Sequence, residues 1–556
     1  MAVLNLLLCS ANAYDGDINY WIDWIGQLQK RGFAGLDANY PPVYMFWLWL
    51  VARFHESLQL VPENGLLLRS LVTAPVALAH VLALLLAHHC LNKTRADDRT
   101  WQQVMALLAL NPAILMNGPV WGQVDMIFSL FLVLSLYALI EARYLVLVMP
   151  VLCIALLTKF QAICVAPAVA PLLWHHRKSR RLWLGLLPAA LAAGLLLLPY
   201  LLANSLGSMF RQTYIQASSL YPYATYHANN LWQLAGLDTR PDNLYLLDLA
   251  VSPTGWRVLL TPKHLGIALF GLWSLWLFIS GLRRRDASLH WRNAILSALG
   301  FFLLLPGMHE RYLFPAVSIA LIAASRFSAF RTAALWLSVL CFANMCFVLH
   351  PSGGALPYLF AALTLGLAVR LMVGKPAAFN AASALLARLP LTPWWILAIA
   401  IWALTISWQV RLRLPDHEGW LDATRIPGRT YSQAWGDLQT GSSVDSRMLV
   451  VAGQRHARGF GTHAESVITI PVPPGAERFS TQAGLDDETS GGEVSFFIRL
   501  DGRTLWSSGR LAAGAGAVSA DIDVRGGHSL QLVVDPLGSN ANDHADWLSP
   551  RFRIAR

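Results

Sequence analysis

The chain has 556 residues, 55% of them hydrophobic and only 13% charged, with a mean hydropathy of +0.46; soluble domains average about 25% charge. That balance excludes an ordinary soluble enzyme, a disordered chain and a nucleic-acid module. The formal charge of +10 comes from basic residues in short loops between apolar runs, so it reads as membrane topology rather than as a polyanion-binding surface.

In chain order, residues 1–13 are apolar and read as a first transmembrane helix whose beginning is missing or mis-started; their Ala-Asn-Ala end resembles a signal-peptidase site, without a basic leader. Asp15, Asp17 and Asp23 precede and begin an amphipathic stretch, with Tyr20, Trp21, Trp24 and Leu28 at helical spacing. Tyr40-Pro41-Pro42 predicts a rigid bend. Residues 41–54 are apolar enough to enter the bilayer, yet a full span there would invert every later loop, so they read as a re-entrant or interfacial helix. Further spans are expected near 65–91, 102–117, 123–140, 144–157, 161–174, 183–203, 263–281, 290–305, 311–325, 333–349, 355–372 and 392–409. The total is about 13 spans. Basic clusters around Lys93, His175–Arg181, Arg283–Arg285, Arg326 and Arg370 then share one side, which the positive-inside rule makes cytoplasmic. Residues 1–415 form the membrane domain, 416–449 a lead-in and 450–556 a β domain, where short alternating runs such as SVITIPV and SLQLVVD predict a β-sandwich.

Cys9, Cys90, Cys153, Cys164, Cys341 and Cys346 lie in or beside apolar segments and show no metal-binding spacing. The sparse ionisable groups gather between spans on the non-cytoplasmic side. Asp15 and Asp17 serve either as a helix cap or as a carboxylate base reachable by a lipid-borne substrate. Trp121-Gly122-Gln123-Val124-Asp125 places an acid one turn into a span, where ionised groups are costly and rarely incidental. His309-Glu310-Arg311 is an interfacial salt bridge or an anion site. Lys159 and Arg211 add positive charge or snorkel to the interface. His227-Ala-Asn229-Asn230-Leu-Trp232 forms a last cluster in a Tyr-rich loop. A carboxylate base with several cations on one membrane face suits sugar transfer from a polyprenyl phosphate: the base deprotonates the acceptor hydroxyl and positive charge holds the departing phosphate.

The succession Gly16-Asp17, Tyr40-Pro-Pro, Trp-Gly-Gln-Val-Asp125, Asn-Asn-Leu-Trp232 and His309-Glu-Arg resembles the GT-C superfamily of integral-membrane glycosyltransferases. It is similar to the dolichyl-phosphate-glucose glucosyltransferases and to bacterial relatives of the GPI mannosyltransferases. The usual Asp-Tyr-Pro-Pro stands here as Asn39-Tyr40-Pro41-Pro42. The resemblance implies an inverting transfer with Asp17 as base and Asp15 as its understudy. It also implies His309, Glu310, Arg311, Lys159 and Arg211 near the donor phosphate, with Tyr40, Trp121, Gln123, Asp125, Asn230 and Trp232 lining the substrate. No cofactor or metal is expected. The C-terminal run Gly459-Phe-Gly-Thr-His463, Gly484-Leu-Asp-Asp487 and Asp543-His-Ala-Asp-Trp547 resembles the NPCBM carbohydrate-binding modules and implies a galactose-binding-like jelly roll. His463 and His544 read there as structural histidines rather than metal ligands.

The expected protein is therefore a polytopic α-helical enzyme of a bacterial inner membrane, with its active face and β-sandwich periplasmic. Its partners are the bilayer, a polyprenyl-phosphate sugar and a glycan or lipid-linked acceptor; no nucleic acid is expected. A lipid-linked-glycan flippase is the first alternative, although no repeat is evident. A membrane-anchored carbohydrate-binding protein is the second.

Overall fold

The computed structural model describes residues 16–58, 66–216, 222–250, 257–349, 355–373 and 419–555, with positions 4, 8 and 9 before them and without 427, 446–448, 457, 490 and 541. Most of the proposed first span, Asp15 and the apolar stretch 392–409 lie outside these residues. Two compact units divide the chain, Met1–Trp402 and Ala403–Arg556.

The first unit is helical. Its helices are α1 (Gly16–Arg31), α2 (Pro42–Ser57), α3 (Leu66–Lys93), α4 (Asp98–Ala109), α5 (Asp125–Glu141), α6 (Leu145–Thr158), α7 (Ala166–His176), α8 (Leu186–Leu202), α9 (Pro262–Arg283), α10 (Ala287–Leu304), α11 (Phe314–Arg326), α12 (Arg331–Leu349) and α13 (Leu356–Val373). Single turns at 112–115 and 180–184 extend this set, and a short antiparallel ribbon, β1 (Leu247–Ala250) with β2 (Arg257–Leu260), was not anticipated. Burial sorts the helices into two kinds. Helices α5, α10 and α11 are buried almost all round and pack on one another, α11 lying between the other two. Helices α8 and α9 instead turn leucines outward, Leu202 at 79% and Leu272 at 66% exposure. Apolar side chains facing outward in such numbers are stable in lipid, not in water. Among the described residues, six helical stretches are long and apolar enough to cross a membrane, and 125–140, 145–158 and 314–326 are shorter apolar helices.

Among the described residues, regular helix fails at three places that come together in this unit, besides a π-helical turn at Arg211–Ile215. The turn 112–115 passes into a π-helical turn, Met116–Val120, followed by Gly122 at φ +85°. Lys159 is fully extended between α6 and a 3₁₀ turn at 160–165. Residues 305–313 form an irregular connection between α10 and α11. Non-helical backbone at membrane depth is tolerated only where protein buries it or it lines a cavity.

The second unit is a β-sandwich. Its strands are β3 (Trp420–Asp422), β4 (Thr430–Gln433), β5 (Gln439–Thr440), β6 (Leu449–Val451), β7 (Gln454–His456), β8 (Gly459–His463), β9 (Ser466–Pro471), β10 (Ala476–Leu485), β11 (Glu493–Leu500), β12 (Arg503–Ala512), β13 (Val518–Asp523), β14 (Ser529–Pro536) and β15 (His544–Ile554). One sheet runs β13-β10-β15-β8-β5 with β3 also on β15; the other runs β12-β11-β14-β9-β4, and these strands pair antiparallel. Alternation supplies the core, as in β14, where Leu530, Leu532 and Val534 are buried against Phe496, Phe479 and Trp547.

Candidate active site in the helical unit

The three helix breaks bring the ionised side chains of this unit together. Asp17, in the first turn of α1, accepts a 2.7 Å hydrogen bond from Trp121 Nε1 through Oδ2. Its Oδ1 lies 3.8 Å from Arg311 Nη2, and Nη1 of the same guanidinium is 2.5 Å from Glu310 Oε1. His309 Nδ1 stands 3.8 Å from the other Glu310 oxygen. Residues 104 and 294 positions apart in sequence thus converge on one carboxylate. Gly122 makes that approach possible. A Cβ there would fall 2.6 Å from Ile18 Cδ1 of α1, and Trp21 Nε1 donates 2.9 Å to the Gly122 carbonyl.

Deeper in, Lys159 pairs with Asp125 and donates to Gln123 Oε1 at 3.2 Å, while Tyr40 donates its phenol to the same oxygen at 3.0 Å. Asn117 Nδ2 donates 2.9 Å to the second Asp125 oxygen. The ammonium lies 5.5 Å from the Tyr40 ring centroid and 5.7 Å from that of Tyr312. Both ionised side chains are at most 5% exposed, so each charge is met by the other and by polarisable rings.

Among these side chains three carboxylates, Asp17, Asp125 and Glu310, face two cations, Lys159 and Arg311. Burial, then Arg311 and Lys159, hold the His309 imidazole well below its ordinary value, which keeps it neutral. Arg311 is closer to Glu310, leaving Asp17 the more loosely held and more exposed carboxylate, 15% against 3%.

The loop 222–242 closes over this cluster. Tyr226 N–H donates 2.9 Å to the Met308 carbonyl, and the Tyr226 and His309 rings stand 5.1 Å apart. His227, at φ +56°, pairs through Nδ1 with Asp238 at 3.1 Å. Burial alone would lower this imidazole, but Asp238 outweighs it and the net shift is upward. Asn344 of α12 fixes the unusual backbone, donating 2.7 Å to the His227 carbonyl and accepting 2.7 Å from Asn229 N–H.

Of the residues singled out from sequence, Asp17, Tyr40, Trp121, Gln123, Asp125, Lys159, His309, Glu310 and Arg311 share this cluster. Arg211 is exposed on a neighbouring segment, whose Gln212 donates to Asp37 and Thr213 to the Tyr40 carbonyl. Asn230 and Trp232 are buried and directed to backbone: Asn230 caps the turn 231–234 and reaches Phe302 O, and Trp232 Nε1 reaches Leu304 O. Asp238 and Asn344 were not singled out. An amide in the middle of apolar α12 was the available signal for Asn344; Asp238 has none, because its partner is set by the loop. Beside the cluster, an almost wholly apolar groove of about 640 Å³ is lined by Phe160, Ile163, Phe270, Phe278 and Phe301. Phe301 also borders a cleft reached by Asp125, Arg311 and Tyr312.

Comparison with known proteins adds a family only at the C-terminal end, where residues 417–553 match the NPCBM/NEW2 domain model. An α-1,3-galactosidase B of Akkermansia muciniphila is 36% identical over 134 residues, 23% of this chain and 17% of that protein. A putative endo-α-N-acetylgalactosaminidase of Renibacterium salmoninarum is 29% identical over 131 residues, 22% of this chain and 9% of that protein. The chain thus spans less than a fifth of either relative. Among solved structures, a CBM51 module from Clostridium perfringens GH95 in complex with methyl-galactose matches 24% of this chain and 99% of that one, at 23% identity and TM-score 0.23. The arabinosyltransferase EmbB of Mycobacterium smegmatis aligns over 99% of this chain and 64% of its own, at 13% identity and TM-score 0.37, a likeness too weak to assign a reaction. Residues 417–553 are an NPCBM carbohydrate-binding module, carried by a chain whose preceding part is helical and largely apolar.

Proposed function

We propose that the helical unit is a polytopic membrane glycosyltransferase of the GT-C kind, moving a hexose from a polyprenyl phosphate to a glycan, lipid or protein acceptor on the non-cytoplasmic side with inversion. One observation carries the reading: Asp17, outermost of three clustered carboxylates, shares Arg311 with Glu310 and is oriented by Trp121. A carboxylate that is aimed but incompletely neutralised suits a base for an acceptor hydroxyl. Arg311 offers a planar donor fork to the departing phosphate, and exposed Arg211 adds charge at the approach. The inner Lys159–Asp125 pair acts through Gln123 and Tyr40 as a positioning element. The apolar groove ending at Phe301 suits an isoprenoid chain, whose phosphate would then lie toward Arg311. About 13 spans, a bacterial inner membrane and a periplasmic active face complete the reading, and the β-sandwich binds the acceptor glycan.

The test is to incubate purified protein with a panel of polyprenyl-phosphate monosaccharides and follow donor consumption. One donor should be consumed by the wild type and not by Asp17→Asn. Consumption of no donor, or equal rates in the two proteins, overturns the assignment.

A further inference from the structure

A second concentration of charge in the helical unit, on the side whose loops read as cytoplasmic, has no part in the proposed transfer. Two short loops carry it. The run His175–Arg181 follows from the end of α7 and Arg283–Arg285 from the end of α9. They are tied together where His175 Nε2 meets the Gly281 carbonyl at 2.9 Å. A Cβ at Gly281 would lie 2.6 Å from Pro171 Cγ, so α7 and α9 touch at this end. His176 Nε2 reaches the Leu139 carbonyl of α5, also at 2.9 Å.

Together the loops expose seven cations, at positions 177, 178, 180, 181 and 283–285. Among the described residues none of them pairs with a carboxylate, whereas Lys93 and Arg326 on the same side are both taken by Glu141. The acid next in sequence, Asp286, is used as the cap of α10, accepting 2.8 Å from Leu289 N–H. Beside His175, with ring centroids 5.9 Å apart, His290 is buried and its Nδ1 meets no hydrogen-bond partner; nor does Arg292 Nε.

The first loop is also ordered by its own contacts. Trp183 Nε1 donates 2.7 Å to the Arg177 carbonyl, and Arg177 donates 2.8 Å to the Trp174 carbonyl while lying 4.4 Å over the Trp174 ring. Gly185 seats the turn 180–184 on α6, where a Cβ would fall 2.5 Å from the Val146 carbonyl oxygen. Membrane topology requires a number of cations on one side and not this arrangement of them. Trp174 and Trp183 are both exposed, and the apolar surface continues through Leu184, Leu186 and Leu187 into α8.

We infer that the loops 177–185 and 283–285 bind the headgroup of an anionic phospholipid, with its acyl chains along the outward leucines of α8. Guanidinium and ammonium groups are matched to phosphate oxygens, basic pockets between helix ends attract anionic headgroups, and Trp rings collect at headgroup depth. The apolar flank decides the source of the phosphate: a soluble polyanion would meet the cations and leave the tryptophans and leucines uncovered. The inference is independent of the glycosyltransferase reading, because its readout is lipid binding.

The experiment uses the full chain, delipidated in a nonionic detergent and titrated with phosphatidylglycerol, cardiolipin or phosphatidylcholine. Retention is followed by native mass spectrometry and thermal unfolding, with glycerophosphoglycerol as the headgroup without chains. Either anionic lipid should bind at least about tenfold more tightly than phosphatidylcholine and raise the melting temperature. The triple variant Lys178→Gln, Arg180→Gln, Arg181→Gln, at exposed positions that folding tolerates, should weaken that binding at least about tenfold. Arg284→Gln with Arg285→Gln, on the other loop, should weaken it about threefold or more. Arg53→Gln, an exposed cation of α2 already paired with Glu56, should leave it unchanged. Equal retention of phosphatidylcholine, or equal binding of the free headgroup, overturns the site. So does wild-type retention by both loop variants, or a loss in Arg53→Gln as large as theirs.

Discussion

Both units of this protein bury carboxylates, and they resolve the cost differently. In the helical unit each buried acid reaches a cationic side chain: Asp125 meets Lys159, Glu310 meets Arg311, and Glu141 at the far ends of α3 and α11 meets Lys93 and Arg326. In the sandwich Asp486 is met by backbone N–H groups, an imidazole and a hydroxyl are among the partners of Glu488, and burial beside Asp486 pushes the Asp546 carboxyl well above its ordinary value. Lipid offers no water or ions to correct a mismatch, so a membrane unit must carry its own counter-charges. The sandwich instead draws on backbone N–H, hydroxyl and imidazole groups.

The largest expected effect breaks the helical side of this contrast. Asp17→Asn should reduce transfer by about 10²–10⁴-fold while donor affinity, measured by calorimetry, stays within twofold. Next, Lys159→Met strands Asp125 and should lower stability by about 3–5 kcal/mol; adding Asp125→Leu should restore most of it, as read by detergent-solubilised thermal unfolding. A loss that the second substitution fails to relieve would show that the pair is not the unit of stability. Gly122→Ala should cost about 1–3 kcal/mol through the clash with Ile18 and slow transfer without altering donor binding.

The smallest effect concerns His227. Its imidazole is raised in the fold, so the pair with Asp238 contributes fully at low pH and is lost as pH rises through the raised value. Asp238→Asn should move the His227 titration downward, followed by imidazole NMR; an unmoved titration would break the assignment. The pair, about one-third exposed, contributes at most about 1 kcal/mol.

Much of this was legible in sequence because apolar length and charge placement are one-dimensional signals. The helices at 66–93, 262–283 and 356–373 follow directly from long apolar runs, and the sandwich strands from alternation. The ionisable clusters of the site were legible for a related reason: acids and bases are so rare between spans that each one stands out. Their pairing was not. That Arg311 would reach both Asp17 and Glu310, or that Lys159 would be claimed by Asp125, depends on where three helix breaks meet. Nor was it legible that Asn230 and Trp232 direct their polar atoms to backbone.

The missing side chain at position 122 sets a spacing. With only backbone thickness between α1 and the 116–124 segment, the height of the Asp17 carboxylate above the guanidinium is governed by an uncharged position. Side-chain volume there acts as a shim. Homologous chains, or engineered ones, could retune the gap between Asp17 and Arg311 without altering a single ionised group.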